Sequence, residues 1–279
     1  MSNFWQRTLT GFFFVLAIVA LVFSSRYSFL LLLGIINVFC LNEFYLMTLE
    51  PQQHRLRFYL IGVSLLALSA IPAIQLLNLP YWWMVVSIPF LFLFFFIQLR
   101  YHSEKPFQNI ATGVLGLVYI TTPLALFNLI STEYLSLTGD YLPRMAMSLF
   151  ILTWTSDTAA YLVGRAIGRN KIFERISPKK TIEGTLGGII ITIVTAWFLS
   201  FWVTDAAGLV VFSPMQFAGI GAMVAIFGPL GDFSESQLKR SLGVKDSGHL
   251  LPGHGGFLDR FDAFLLHLPF VFFYLAITR

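Results

Sequence analysis

The sequence predicts an all-α integral membrane protein, a polytopic bundle of about nine transmembrane helices. Of its 279 residues, 57% are hydrophobic and only 11% are charged, and the mean hydropathy is +0.76. Soluble domains are roughly 45–50% apolar. The apolar residues also form blocks close to the ~20 residues that a helix needs to cross a bilayer. Every backbone polar group in hydrocarbon needs an internal partner, so these blocks are predicted to be helices.

The blocks follow one another along the whole chain. The predicted spans are Thr8–Phe23, Tyr27–Met47, Phe58–Leu77, Trp82–Leu99, Ile110–Ile130, Met145–Gly168, Leu186–Thr204, Phe212–Leu230 and Asp259–Ile277. Residues 1–144, with spans one to five, are mostly plain apolar sequence and are predicted to be a scaffold. Residues 145–279, with spans six to nine, carry the crowded ionisable residues and are predicted to be the catalytic region. Together they would form one integrated membrane domain.

The distribution of Lys and Arg predicts the orientation, because cytoplasmic loops are enriched in both. With the N-terminus in the cytoplasm, 15 of the 18 basic residues face that side, and only Arg26, Arg144 and Arg279 face the other. The first apolar stretch resembles a signal peptide. A second span follows it at once and the charge count works with it retained, so we expect it to stay. The single Cys40 permits no intrachain disulfide.

Two stretches place acids within or beside spans. In TSDTAAYLVGRAIGR, residues 155–169, Asp157 and Tyr161 are four apart and share a helical face, which Gly164 and Gly168 continue. Small residues there allow another helix or a ligand to approach closely. Glu43 lies about one turn from the predicted cytoplasmic end of span two. It is either a structural acid that reaches the interface or a supporting member of a site.

A capped turn predicts an anion site. In ISPKKTIEG, residues 176–184, Ser177 suits an N-cap and Pro178 the first helical position. The free N–H groups of that helix start, beside Lys179 and Lys180, would favour phosphate.

Two further stretches carry carboxylates suited to a metal. In GDFSESQLKR, residues 231–240, a helix would place Asp232, Glu235, Ser236 and Lys239 on one face, with Glu235 and Lys239 able to form a surface pair. In KDSGHLLPGHGGFLDRFD, residues 245–262, the glycines let the backbone approach a ligand closely. Asp259 and Asp262, three apart at the start of span nine, suit Mg²⁺ on a polyphosphate better than zinc.

These last two stretches, with the upstream WTSDTAAYLVGR and SPKKTIEG, resemble the signature motifs of phosphatidate cytidylyltransferases, the CDP-diacylglycerol synthases. The resemblance covers residues 154–262, and the nine-span layout is similar to that of the family. Ala159, where Gly is more usual, and Ile182, where an aromatic is common, depart from the pattern without removing an ionisable group.

The resemblance implies conversion of CTP and phosphatidate to CDP-diacylglycerol and pyrophosphate at the cytoplasmic side of a bacterial inner membrane. It implies Mg²⁺ as cofactor, with a second cation and a homodimer left open, and no nucleic acid as partner. Catalytic roles are implied for Asp232, Asp246, Asp259, Lys239 and Arg260, and metal binding for Asp232, Asp246, Asp259 and Asp262. Phosphate binding is implied for Lys179, Lys180, Arg240, Lys245, Ser177, His254, Gly255 and Gly256. Supporting roles are implied for Asp157, Tyr161, Glu43, Glu235 and Ser236.

Two alternatives remain. A CTP-dependent polyprenol or phytol kinase would share the fold and some acidic motifs, but would transfer the γ-phosphoryl group. An ion-coupled transporter would use Asp157 and Glu43 on an ion path, although transporters tend to show internal repeats and none is evident here.

Overall fold

The computed structural model describes residues 3–53, 55–100, 103–132, 140–173, 177, 179–205, 207–248, 250 and 255–278. Within them the chain is helical, and its β contacts are three isolated bridges. The α-helices are α1 (Asn3–Ser24), α2 (Arg26–Thr48), α3 (Leu56–Leu77), α4 (Ile88–Arg100), α5 (Pro106–Gly116), α6 (Thr122–Ile130), α7 (Pro143–Ile167), α8 (Ile182–Leu199), α9 (Pro214–Ser241) and α10 (Asp262–Thr278). Short 3₁₀ turns span Pro51–Gln53, Tyr81–Val85 and Leu258–Arg260, and a π-helical turn, Leu117–Thr121, joins α5 to α6.

The helices form two compact units. The first comprises Met1–Leu129 together with Asp246–Asp259. In it α2 packs against α1, α3 and α5. A buried polar link joins three of its elements, because Asn37 donates to Ser64 (2.8 Å) and accepts from Thr121 (2.8 Å) on the π-helical turn. Such a link fixes the register of apolar helices, which otherwise slide on one another at little cost.

The second unit comprises Ile130–Lys245 and Arg260–Arg279. Here α8 packs between α7 and α9, and α9 packs on α10. Glycines bring the first pair together: a Cβ on Gly184 would lie 2.6 Å from the carbonyl oxygen of Ala160 and 2.9 Å from the Cα of Gly164. The predicted close approach at Gly164 is therefore confirmed. On the other side, the rings of Phe227 and Phe270 stack 3.6 Å apart.

The described helices fit a lipid environment. Six segments are long and apolar enough to cross a membrane: Arg26–Thr48, Leu56–Leu77, Trp82–Arg100, Pro106–Ile130, Ile182–Leu199 and Pro214–Ser241. Thr8–Ser24 and Asp262–Thr278 are apolar but shorter. Large side chains on these helices are exposed, such as Phe13 (61%) and Phe273 (65%), as lipid-facing residues would be. The fold class is thus that of a polytopic helical membrane protein, while the number of nine spans stays a prediction.

Several predicted boundaries moved, and two of them concern the segments with ionisable residues. Span eight was expected to end at Leu230, but α9 continues to Ser241, because the polar stretch after Leu230 is itself helical. Span seven was expected to begin at Leu186, but α8 begins at Ile182. Both shifts lengthen helices beyond their apolar parts, where hydropathy gives no boundary signal.

Candidate active site

The first unit contains a loop that closes on a buried acid of α2. Glu43 is 4% exposed. Its carboxylate accepts hydrogen bonds from the Ser247 hydroxyl (2.8 Å) and from the backbone N–H groups of Phe257 (2.8 Å) and Leu258 (2.9 Å). These donors come from both described ends of the glycine-rich stretch. Glu43 is therefore a buried, hydrogen-bonded acid, and its role as a supporting member of a site stays a prediction.

The same loop presents two carboxylates side by side. Asp259 accepts from the backbone N–H groups of Ser247 (3.1 Å) and Gly256 (2.8 Å). A Cβ placed on Gly255 would lie 3.0 Å from an Asp259 carboxylate oxygen and 3.7 Å from one of Asp246. Gly255 also has φ +83°, a conformation that side chains other than glycine rarely adopt. Glycine here thus leaves open the space onto which both acids converge.

The prediction that Asp259 and Asp262 share one helical face is wrong. Asp259 lies in the 3₁₀ turn Leu258–Arg260, whereas α10 begins at Asp262. Asp259 belongs to the first unit and Asp262 to the second. The bonds from Ser247 and Gly256 to Asp259, and from Leu258 to Glu43, hold this segment as a loop.

In the second unit an ion pair joins the segment before α8 to α9. The Lys180 ammonium contacts the Asp232 carboxylate and lies 4.7 Å from the centroid of the Phe233 ring. Ser236, one turn after Asp232, donates to it at 3.2 Å. Lys180 is thereby held by charge and by an aromatic face, and it remains partly accessible, with 28% of its side chain exposed.

A second acid pair lies deeper in this unit. Glu235, 1% exposed, and Asp262, 8% exposed, are buried close enough to interact, and Lys239 contacts Glu235 at 3.2 Å. The expected surface pair of Glu235 and Lys239 is therefore a buried pair, because α9 turns this face toward α10. Two adjacent buried carboxyls require a shared proton or a nearby cation.

Charges on α7 and before α10 complete this cluster. Asp157 lies within electrostatic range of Lys180, Asp232 and Arg260. The side chains of Asp157 and Arg260, both in the second unit, are exposed. Tyr161 is 62% exposed, and its supporting role stays a prediction.

The prediction of a helix start at Ser177 is wrong. The N-cap of α8 is Thr181, whose side chain accepts from the N–H of Gly184 at 3.2 Å. Among the described residues, no helix leads into this cap: Ile182 donates to the carbonyl of Asn170 (2.9 Å) and Thr181 bridges to Lys171. Lys180 thus immediately precedes the N-cap, and Lys179 is exposed in a turn. Pro178 lies outside the described residues.

The remaining predicted phosphate ligands are exposed or undescribed. Arg240 and Lys245 are exposed, and His254 lies outside the described residues. Gly256 is buried, and a Cβ there would overlap the Ser247 hydroxyl, so its role is to let the loop close. Sequence reasoning missed three contributors: Ser247, Thr181 and Phe233. Ser247 lies in the quoted stretch KDSGHLLPGHGGFLDRFD. No local sequence pattern predicts that the Phe233 ring will lie beside Lys180.

The number of acids that converge bears on whether the site can hold a divalent cation. Across the described residues, no three His, Cys, Asp or Glu side chains lie close enough together to hold a metal ion. Mg²⁺ is commonly bound by one or two carboxylates, with water and substrate phosphates completing its shell. The pair Asp246 and Asp259, open at Gly255, fits that requirement, and its oxygen-only donors suit a hard cation.

Comparison with known proteins identifies relatives that share one name. A phosphatidate cytidylyltransferase of Staphylococcus epidermidis is 30% identical over 267 residues, 94% of this chain and 95% of that protein. Its Staphylococcus aureus counterpart is 33% identical over 67% of this chain and 69% of that protein. That of Bacillus subtilis is 45% identical, with 46% of this chain matched to 45% of that protein's length. The profile described as "Cytidylyltransferase family" matches residues 5–278, and the chain therefore belongs to this family.

Proposed function

We propose that this membrane protein is a phosphatidate cytidylyltransferase, converting CTP and phosphatidate to CDP-diacylglycerol and pyrophosphate. The observation that carries the proposal is the near full-length likeness to a relative of that name. The structure supports it with two groups of acids, one in each unit, the second interleaved with Lys180, Lys239 and Arg260. Paired acids and cations suit a reaction between two phosphate groups.

The proposed reaction needs positioning more than proton transfer. An oxygen of the lipid phosphate attacks the α-phosphorus of CTP, forming a P–O bond. The bond from that phosphorus to the bridging oxygen of the β-phosphate breaks, and pyrophosphate leaves with its electron pair. The second pKa of a phosphate monoester is near ~6, so the attacking oxygen is already largely deprotonated at neutral pH. Catalysis then depends on holding two anions together in line.

Cations of the second unit would hold those anions. Lys180 is accessible beside Asp232, and Lys239 is held by Glu235. We assign phosphate binding to both, and to Arg260 beside Asp157. Exposed Lys179, Arg240 and Lys245 stay candidates for the same role. The acids would hold Lys180 and Lys239 in place, so that an incoming phosphate meets preorganised cations.

Mg²⁺ is the proposed cofactor, and a second cation stays open. Asp246 and Asp259 would hold it in the first unit, and Asp232 and Asp262 are the candidates in the second. When bound, it would neutralise phosphate charge as a Lewis acid. Asp259 is kept in place by the N–H groups of Ser247 and Gly256.

The proposed location is a bacterial inner membrane, with these residues on the cytoplasmic side. The support is the excess of Lys and Arg on that face, where CTP is available. A homodimer stays a prediction that the mass of the detergent-solubilised protein would test.

Labelled CTP tests the function directly. The purified protein is incubated with phosphatidate, Mg²⁺ and CTP labelled on either its α- or its γ-phosphorus. We expect α-label in a lipid product and γ-label in released pyrophosphate. Transfer of γ-label to a polyprenol or phytol would instead support the kinase alternative. An absence of both transfers would refute the proposed function.

A further inference from the structure

Glu43 is a buried acid that the proposed reaction does not use. It lies on α2, more than 200 residues before the loop that it holds. Its two oxygens receive separate donors: Phe257 donates to one, while Ser247 and Leu258 donate to the other. A carboxylate is the side chain suited to this position, because it accepts on both oxygens and carries no hydrogen that would face a donor.

The loop is built around this acid. A Cβ on Gly248 would overlap a Glu43 oxygen, and one on Gly256 would lie 2.7 Å from the other. Phe257 packs beside Phe39 of the same helix as Glu43, with ring centroids 5.3 Å apart. Both glycines and the ring therefore fit the loop to α2 at the position of the carboxylate.

Ser247 connects Glu43 to Asp259. Its hydroxyl donates to Glu43, while its backbone N–H donates to Asp259 at 3.1 Å. At the other end, Gly256 donates to Asp259 and the next two residues donate to Glu43. The N–H groups of Ser247 and Gly256 that hold Asp259 are thus on, or directly beside, residues that Glu43 holds.

We infer that Glu43 is a positioning residue, which sets the geometry of Asp246 and Asp259 by fixing both ends of their loop to α2. This inference rests on the proposed function. The affinity for the cation would then depend on Glu43, although Glu43 itself contacts no substrate. Partners that orient metal ligands typically contribute 10- to 100-fold to metal affinity.

The test substitutes Glu43→Gln, which keeps the size of the side chain. Whichever way the new amide is turned, its NH₂ faces an N–H or O–H donor. We expect the Mg²⁺ concentration that gives half-maximal CDP-lipid formation to rise about 10-fold or more. In the absence of metal and substrates, hydrogen exchange should accelerate at Phe257 and Leu258. It should also accelerate at Ser247 and Gly256, whose N–H groups bond Asp259 and not Glu43.

Glu50→Gln is the matched control. Glu50 follows α2 in the same unit, and the hydrogen bonds from Ser103 (2.6 Å) and then Asn109 (2.9 Å) lower its pKa. The control therefore also removes a hydrogen-bonded carboxylate, but away from the loop. It should leave the Mg²⁺ midpoint and the exchange of Ser247 and Gly256 unchanged.

Ser247→Ala covers the case in which Glu43→Gln does not fold. It removes one of the three bonds to Glu43 and keeps both backbone donors to it, so we expect a smaller rise in the Mg²⁺ midpoint. An unchanged midpoint and unchanged exchange at Ser247 and Gly256 in the folded Glu43 variant would overturn the inference, as would equal effects in Glu50→Gln. If the wild type fails to transfer α-label, the proposed function fails, while the exchange measurement still tests the positioning by Glu43.

Discussion

Asp259 is a residue whose position depends on a loop and not on a helix. The sequence predicts a metal-binding role for Asp259 from its place beside glycines and from a helix shared with Asp262. The structure places Asp259 outside that helix. Its position comes instead from two backbone donors, on Ser247 and Gly256. The main chain supplies both donors. A substitution elsewhere in the loop would therefore change the position of Asp259 by moving the backbone.

Asp259→Asn should abolish Mg²⁺-dependent formation of CDP-lipid while the protein still inserts in the membrane. The amide keeps one acceptor but loses the charge. We expect a decrease of about 100-fold or more, because Lewis-acid stabilisation is worth several kcal/mol and each ~1.4 kcal/mol is tenfold in rate. The measurement is α-label transfer at saturating CTP.

Asp205→Asn is the control for this variant, since Asp205 also accepts a backbone N–H, from Leu209 at 2.8 Å, in a loop that carries no predicted site residue. It should retain wild-type turnover. Normal turnover by Asp259→Asn would remove Asp259 from the cation site.

Lys180 is the cation that the structure distinguishes from its basic neighbours. Lys180→Met removes the partner of Asp232 and should lower kcat/KM for CTP by about 10²-fold, the size typical for the loss of one preorganised charge contact. Lys171→Met, an exposed lysine of the same segment, removes an equal charge. Steady-state kinetics of both variants would contradict the assignment if the two losses were equal.

At the scale of elements, the interface of α7 with α8 depends on the absence of side chains. A Cβ on Gly184 would press on the backbone of Ala160 and Gly164, which cannot move aside as a side-chain end can. Gly184→Ala should therefore destabilise the protein by about 1–3 kcal/mol, measured by denaturant unfolding in detergent.

Gly34→Ala on α2 is the comparison, since no atom lies within 4 Å of a Cβ there. It should be neutral, or stabilising by up to about 1 kcal/mol through helix propensity. Equal destabilisation by both variants would show that close packing is not the cause. The glycine spacing of α7 predicts the close approach of another helix. It does not identify α8 as that helix, which only the tertiary structure shows.

For the whole molecule, the testable property is orientation. In a Cys40→Ser background, Asp140→Cys should react with a membrane-impermeant maleimide in intact cells, and Lys171→Cys only after permeabilisation. Both positions are exposed, and the excess of Lys and Arg assigns them to opposite sides. The reverse pattern would invert the proposed topology and put the candidate site on the wrong side for CTP.

The sequence by itself determined the membrane class, the approximate position of the helices and the predicted orientation. These follow from composition, apolar length and charge, which need no knowledge of contacts. The motif resemblance likewise identified the family from local residues. Helix ends were predicted less accurately, because α9 continues through polar sequence and the N-cap of α8 is Thr181 instead of the predicted Ser177.

Only the tertiary structure decided how the acids are held. It paired Glu43 with Ser247, 204 residues away, turned Glu235 inward toward Asp262, and separated Asp259 from the helix that Asp262 begins. Spacing along a chain specifies neighbours within one helix, but hydrogen bonds between distant segments depend on which helices pack together. The physical reason is that a buried carboxylate needs hydrogen-bond donors. Here a loop supplies those donors, and only the fold determines where that loop lies.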